Sequence, residues 1–217
     1  MSDTGGGHRG VAEALVDAFA SEFGARYDVQ MVDAIKQCAL FTFNHIPDWY
    51  LPFVSFSERA WGWLFHCSNT RVVAALALAL ARAVTGRGFQ RLLHPTNYDL
   101  VISVHPLLLS VPRRILHDRD ARTRFVTMVA DLIDTHRLWF DPDVDACFVP
   151  TSAARDNARR YRIPAEKIVV TGLPVHLKFS PAAADAHLAK PARRAQLGLL
   201  DRPTVLLIGG GEGMGPV

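Results

Sequence analysis

Ser2-Asp3-Thr4-Gly5-Gly6-Gly7-His8-Arg9 opens the chain and runs at once into an amphipathic segment, roughly residues 8 to 23. Three consecutive glycines permit positive φ and let the backbone come close to a ligand. Behind them Val11, Leu15, Ala18 and Phe19 fall on one face, with Glu13, Asp17 and Glu22 away from it, which is helical periodicity. Such a helix start aims free N–H groups and a positive dipole end at whatever sits over the glycines, preferably an anion. His8 stands at that mouth with an imidazole able to exchange a proton near neutral pH. The same turn could also serve as a tight connection and nothing more. No Lys-Ser/Thr follows the glycines and GxGxxG is absent, so a Walker-type loop and the usual dinucleotide fingerprint are excluded.

Outward from this turn, apolar runs predict strands at 28–33, 99–104, 124–130, 145–149 and 168–171. Helices are predicted between them. One covers 57–66. A second starts near Asn69 as its cap and runs to about Leu93, with the Ala- and Leu-rich interior from Val72 to Val84 expected to be well buried. A third ends near His117, and a fourth is capped by Thr151 or Ser152 and ends at Tyr161. Apolar strands alternating with helices mean an α/β fold with a parallel sheet covered on both faces. Ligands of such sheets bind at the carboxyl ends of the strands. His105, Asp131, His136 and the Gly172 turn fall on that rim, and His8 joins them if a strand leads into Ser2. Only Met1 stands there, so the first strand is expected to be largely missing.

Ser180 to Arg194 reads as a linker entering a short helix. Pro203 to Ile208 then predicts a strand that opens into Gly209-Gly210-Gly211-Glu212-Gly213-Met214-Gly215, two residues before the chain stops. This is the entrance to a second Rossmann-like domain, expected to be truncated. The implied division is 1–178, a linker and first helix at 179–202, and the start of the second domain at 203–217.

The 217 residues are 49% hydrophobic and 21% charged, enough for a real core. A net charge of +3 argues against a nucleic-acid binder and suits anionic lipid or phosphate. All but four of the 24 basic residues are arginine, the better fork for phosphate, although arginine-rich composition alone would produce the same count. Cys38, Cys67 and Cys147 are widely spaced and apolar in setting, which fits reduced thiols and neither a disulfide frame nor a metal site. No signal peptide is visible. The longest apolar run, Val72 to Ala81, is short of the roughly 20 residues a bilayer requires, so any membrane contact is expected to be peripheral. Nine aromatics crowd the stretch from Phe41 to Phe65, among them Trp49, Tyr50, Trp61 and Trp63. They form either a surface for a lipid boundary or core packing on the sheet.

Five motifs in order carry a resemblance: SDTGGGHR at the start, VISVHP at 101–106, Asp131 to His136 followed by Trp139-Phe140, GLPV at 172–175, and LLIGGGEGMGPV at 206–217. Together they resemble the monogalactosyldiacylglycerol synthase family of GT-B glycosyltransferases. The resemblance implies the N-terminal half of a GT-B fold and a UDP-sugar-dependent transfer of a hexose, galactose or glucose, to diacylglycerol with inversion. It implies no cofactor and no active-site metal, a UDP-hexose and a diacylglycerol-like lipid as partners together with an anionic membrane surface, no nucleic acid, and peripheral attachment at the cytoplasmic face of a membrane. His8 matches the family's glycine-loop histidine, the expected general base, and Asp131 the acidic residue that orients it or the acceptor. Gly5, Gly6, Gly7, His105, His136 and Trp139 are expected on the acceptor side. Gly172, Gly209, Gly210, Gly211, Glu212, Gly213, Met214 and Gly215 are expected to face the donor. The aromatic stretch falls where the family has its lipid-contacting insertion. Other readings remain: an incomplete fragment acting as a lipid- or anion-binding module, a transferase for a polyprenyl-linked or sterol acceptor, and, more remotely, a UDP-sugar epimerase.

Overall fold

Four short β-branched and apolar runs form the sheet: β1 Leu100–Ser103, β2 Arg124–Met128, β3 Ala146–Val149 and β4 Ile168–Val170. They lie side by side in chain order, all parallel. The computed structural model describes residues 1–2, 6–40, 43–45, 58–94, 98–119, 122–179 and 190–206. The helices are α1 Gly6–Phe23, α2 Ala34–Cys38, α3 Glu58–Ser68, α4 Arg71–Leu93, α5 Ser110–Asp118, α6 Ser152–Arg160 and α7 Lys190–Gln196. The expected α/β architecture, a Rossmann-like half of a GT-B fold, is present.

Side chains alternate across a strand, and the sheet uses both faces. Phe125, Val129, Cys147 and Val149 join Phe89 and Leu93 of α4, Leu116 of α5 and Ala154 and Ala158 of α6 in one core. Ile102, Met128 and Phe148 turn the other way, toward Val11 and Ala12 of α1. Strands of a parallel sheet under helices read as continuous apolar runs, and four of the six expected strands form; β2 is the best buried, while Leu100 of β1 and Val169 and Val170 of β4 remain exposed. Thr151 caps α6, its hydroxyl accepting from the Ala154 amide at 3.1 Å. Cys38 and Cys147 are buried free thiols, their pKa values pushed up by burial to about 11 and about 12.

The fifth expected strand, 28–33, forms no ladder with β1. Among the described residues its long-range backbone bonding is at its end, with Met1, whose amino group donates to the Val32 carbonyl and whose carbonyl accepts from the Ala34 amide, both at 2.9 Å. A strand needs a neighbour, and a single residue supplies one bridge. Pro203 to Leu206 forms no strand, while Leu207, Ile208 and the glycine loop after them lie outside the described residues.

The second correction concerns α4. Its amino-terminal half is exposed where burial was expected: Val72 is 71%, Leu76 64% and Leu80 57% accessible, beside Trp63 of α3 at 70%. By length and composition α4 is also long and apolar enough to cross a membrane, because the apolar window tolerates Arg82 and continues past the Val72–Ala81 run. Its carboxyl-terminal half packs on α2 and α5. Of the aromatic stretch, residues 41–42 and 46–57 lie outside the described residues.

Gly88 is where α4 meets α2. A Cβ there would stand 2.1 Å from the Cys38 carbonyl oxygen and 2.3 Å from its Cα, so two backbones would have to part. Gly88→Ala is expected to cost about 3 kcal/mol or more, outweighing the ~1 kcal/mol helix-propensity gain. Thermal denaturation checks it, and an unchanged or raised midpoint would refute this close approach.

Candidate active site

Each strand's carboxyl end hands the chain to a residue with chemistry. After β1 comes His105, buried, with Nδ1 accepting from the Leu107 amide at 3.2 Å. That bond places the proton on Nε2 and keeps the ring neutral. After β2 comes Asp131, whose Oδ2 accepts the Trp139 indole N–H at 2.6 Å. After β4 comes Gly172 at φ +83°, a left-handed turn that a side chain would strain. The segment beyond it is tied to α1 by His176, with Nδ1 at 2.9 Å from Asp17 and Nε2 at 3.2 Å from Glu13.

His8, in the first turn of α1, closes the cluster. Its ring lies 4.6 Å from that of His105 and 5.6 Å from that of Trp139, centroid to centroid. Burial is the main cause of a His8 pKa below the usual 6.5, opposed by the Asp131 charge and by a hydrogen bond to the Val104 backbone. Burial likewise drives His105 well below 6.5, with His8 and the amino terminus adding to the effect. Asp131 is raised above the ordinary carboxylate value of 3.8 by burial, against the Trp139 hydrogen bond and His8. The result at neutral pH is an uncharged imidazole beside a carboxyl group anchored by an indole. His8 Nδ1 is buried without a hydrogen-bond partner among the described residues. Such an imidazole can take a proton, and the carboxylate would stabilise the imidazolium formed.

The coupling has a direct test. Because the Asp131 charge raises the His8 pKa, Asp131→Asn is expected to lower it further, visible in an NMR titration of the imidazole signals. An upward or absent shift would show that the two groups do not interact.

His136 is locked at both nitrogens. Nδ1 accepts from the Leu138 amide at 3.2 Å, and Nε2 lies 3.2 Å from Ser68 Oγ, whose hydroxyl donates to the Phe65 carbonyl. Burial, and next to it Arg137, lower its pKa. Asn69 does not cap α4. Its Oδ1 accepts from the Arg137 amide at 2.9 Å and from the Tyr161 hydroxyl at 3.3 Å, leaving Thr70 as the cap residue, whose hydroxyl donates to the Cys67 carbonyl at 2.9 Å and does not cap the helix. The α3–α4 joint is therefore fastened to the loop that carries Asp131 and Trp139. The sequence reading missed Ser68 and Asn69 in this role, because a polar pair between helices reads first as a local cap.

The expected site residues thus divide. His8, His105, Asp131 and Trp139 converge, with Trp139 fully enclosed and holding Asp131. His136 braces the same loop from behind. Gly6 begins α1, and Gly7 is exposed beside His8. Gly172 ends β4 on the same rim. Gly5 and the loop Gly209 to Gly215 lie outside the described residues. Among the described residues no group of three or more His, Cys, Asp or Glu side chains is arranged to hold a metal ion.

Residues 8–175 match the family model described as "Monogalactosyldiacylglycerol (MGDG) synthase". The whole chain aligns at 36% identity with the chloroplastic monogalactosyldiacylglycerol synthase of Spinacia oleracea, covering 41% of that protein. It aligns at 36% with monogalactosyldiacylglycerol synthase 2 of Arabidopsis thaliana, and at 39% with a probable monogalactosyldiacylglycerol synthase 2 of Oryza sativa subsp. indica, covering 46% of each. The chain spans less than half the length of these relatives, and the matched segment contains the whole rim from His8 to Gly172. It belongs to the monogalactosyldiacylglycerol synthase family.

Proposed function

We propose that this chain supplies the acceptor-side half of a glycosyltransferase that moves a hexose, galactose or glucose, from a UDP-sugar to the free hydroxyl of diacylglycerol. The observation that carries the reading is His8 at the mouth of α1, its ring 4.6 Å from that of His105 and 5.6 Å from that of Trp139, which holds Asp131, and its buried Nδ1 without a partner among the described residues. His8 takes the hydroxyl proton and the alkoxide oxygen attacks the anomeric carbon. The bond to UDP breaks with inversion, and UDP leaves with the electron pair. Gly5 to Gly7 and His105 lie on the acceptor side. Gly172 and the loop from Gly209 to Gly215 face the donor, where backbone N–H groups steady the diphosphate. No cofactor or metal takes part. Residues 1–178 form the acceptor domain, 179–202 the linker, and 203–217 the entry to the donor domain.

The relatives' names specify a galactolipid product, and a lipid acceptor requires contact with a membrane surface. The exposed row Val72, Leu76 and Leu80, with Trp63 exposed on α3, supports peripheral contact with a membrane; the cytoplasmic face is part of the proposal and does not follow from this row. Twenty arginines favour an anionic surface.

The test is a chimera in which this chain replaces the matching 220 residues of the spinach relative, assayed on vesicles with UDP-galactose and UDP-glucose. Hexosyl-diacylglycerol is the expected product. Transfer only to polyprenyl phosphate or sterol would reassign the acceptor. Vesicle binding without transfer, in a folded chimera that still binds UDP-sugar, would leave only a lipid-binding module.

A further inference from the structure

Two adjacent backbone amides in the 131–139 loop serve different partners. The His136 N–H bonds the Asp131 carboxylate, and the Arg137 N–H bonds Asn69 Oδ1 at 2.9 Å. Trp139 supplies a second donor to Asp131, its indole N–H at 2.6 Å. The two donors that hold the carboxylate therefore bracket the residue that Asn69 holds. A backbone N–H only donates, so its partner on Asn69 is the carbonyl oxygen and the side chain's orientation is fixed.

Other parts of the loop are tied elsewhere. The Thr151 hydroxyl donates to the Leu132 carbonyl, and Asn157 Nδ2 donates to the Ile133 carbonyl at 2.8 Å. Those bonds secure 132–133 against α6. The turn at 136–139 is bonded mainly to itself, the Trp139 amide to the His136 carbonyl and the Leu138 amide to His136 Nδ1. Among the described residues, Asn69 is the long-range partner of this turn's backbone, 68 positions away in the chain. Ser68 supports the same contact through His136 Nε2 at 3.2 Å.

We propose that Asn69 is a positioning residue for the His8–Asp131 pair: by holding the Arg137 amide it fixes the two donors that keep the Asp131 carboxylate in place. It acts through the loop and not on the substrate. Its role in turnover rests on the proposed reaction, whereas its effect on the pair rests on these hydrogen bonds. Because the Asp131 charge raises the His8 pKa against burial, a carboxylate released from its donors would leave that pKa lower. The other titratable neighbours of His8 are His105 and the amino terminus, and the loop itself adds His136 and Arg137. All of these are left unchanged by substitution at Asn69.

The test is made on the 217-residue chain carrying Asn69→Leu, which keeps the side chain's size and removes its acceptor. An NMR titration of the imidazoles should show the His8 pKa lowered, in the same direction as in Asp131→Asn. The Trp139 indole N–H signal should move upfield as its bond to Asp131 loosens. Asn69→Asp retains acceptor oxygens and is expected to restore both signals. Tyr161→Phe removes the second bond to Asn69 but leaves Arg137 its acceptor, so neither signal should change. In the chimera, Asn69→Leu is expected to lower kcat roughly tenfold or more, with KM retained, as displacement of a catalytic group does. Should Asn69→Leu fail to fold, Asn69→Gln is read in its place, since the longer stem carries the oxygen away from Arg137. An unchanged His8 titration and Trp139 signal, with only the thermal midpoint lowered, would overturn the proposal and leave Asn69 a structural tie. So would an equal loss in Asn69→Asp. A shifted titration in a chimera without hexosyl transfer would support the positioning and count against the reaction instead.

Discussion

His8→Ala is expected to lower hexosyl transfer by about 100-fold or more, the contribution of a positioned general base, with the effect in kcat and little in KM. The imidazole sits in the first turn of α1, held between the rings of His105 and Trp139, so its removal leaves the strands and helices unchanged. Acceptor binding depends on the lipid's apolar body and is not expected to involve the ring strongly. A KM rise with kcat retained would make His8 a binding residue instead. A loss below fivefold would remove the base assignment altogether. Steady-state rates on vesicles in the chimera, with circular dichroism as a check on folding, decide between these outcomes.

Arg113→Ala is expected to be the most destabilising change away from the site. Arg113 Nε donates to Asp141 Oδ2 at 2.7 Å, both side chains being 10% accessible, and its guanidinium also reaches Asp143 at 3.1 Å. This pair ties α5 to the turn that precedes β3. Asp141 Oδ1 also accepts from the Asp143 amide at 3.1 Å, so the carboxylate shapes the turn as well as pairing. Removing one partner of a buried pair leaves the other charge uncompensated, at a cost of about 3–5 kcal/mol. In a domain of this size that lowers the thermal midpoint by roughly 10 °C. Replacing both by leucine should recover much of the loss, because two desolvated charges disappear together. If the single variant loses less than about 1 kcal/mol, the pair is behaving as an exposed one.

How much of this was legible from residues alone follows from what each element depends on. Strands β1 to β4 carry their own signal as unbroken apolar runs that lead to His105, Asp131, Thr151 and Gly172, even where the side chains stay exposed, as at Val169 and Val170. The rim was therefore readable before any coordinates. Residues 28–33 have the composition of a strand, but a ladder depends on a partner, and composition does not record whether the partner is present. The burial of α4 was misjudged because an Ala/Leu run states a preference for an apolar setting without stating which setting. Its amino-terminal half is exposed and its carboxyl-terminal half is core. Asn69 was misread because its carbonyl partner, the Arg137 amide, lies 68 positions away. Long-range side-chain bonds leave no periodicity. The Arg113–Asp141 pair, separated by 28 positions, was invisible for the same reason.

The central claim is that a neutral His8, its pKa kept below the ordinary value by burial and raised in part by the Asp131 charge, is the base for the acceptor hydroxyl. The most direct measurement is the pH dependence of kcat/KM in the chimera, with His8 intact and as His8→Ala. With His8 present, activity should rise with pH through an acidic limb lying below 6.5, since burial lowers the pKa of this imidazole and only its neutral form accepts the proton. The residual activity of His8→Ala should lack that limb. An acidic limb retained unchanged in the variant, or one lying above 6.5 in the protein with His8, would contradict the account.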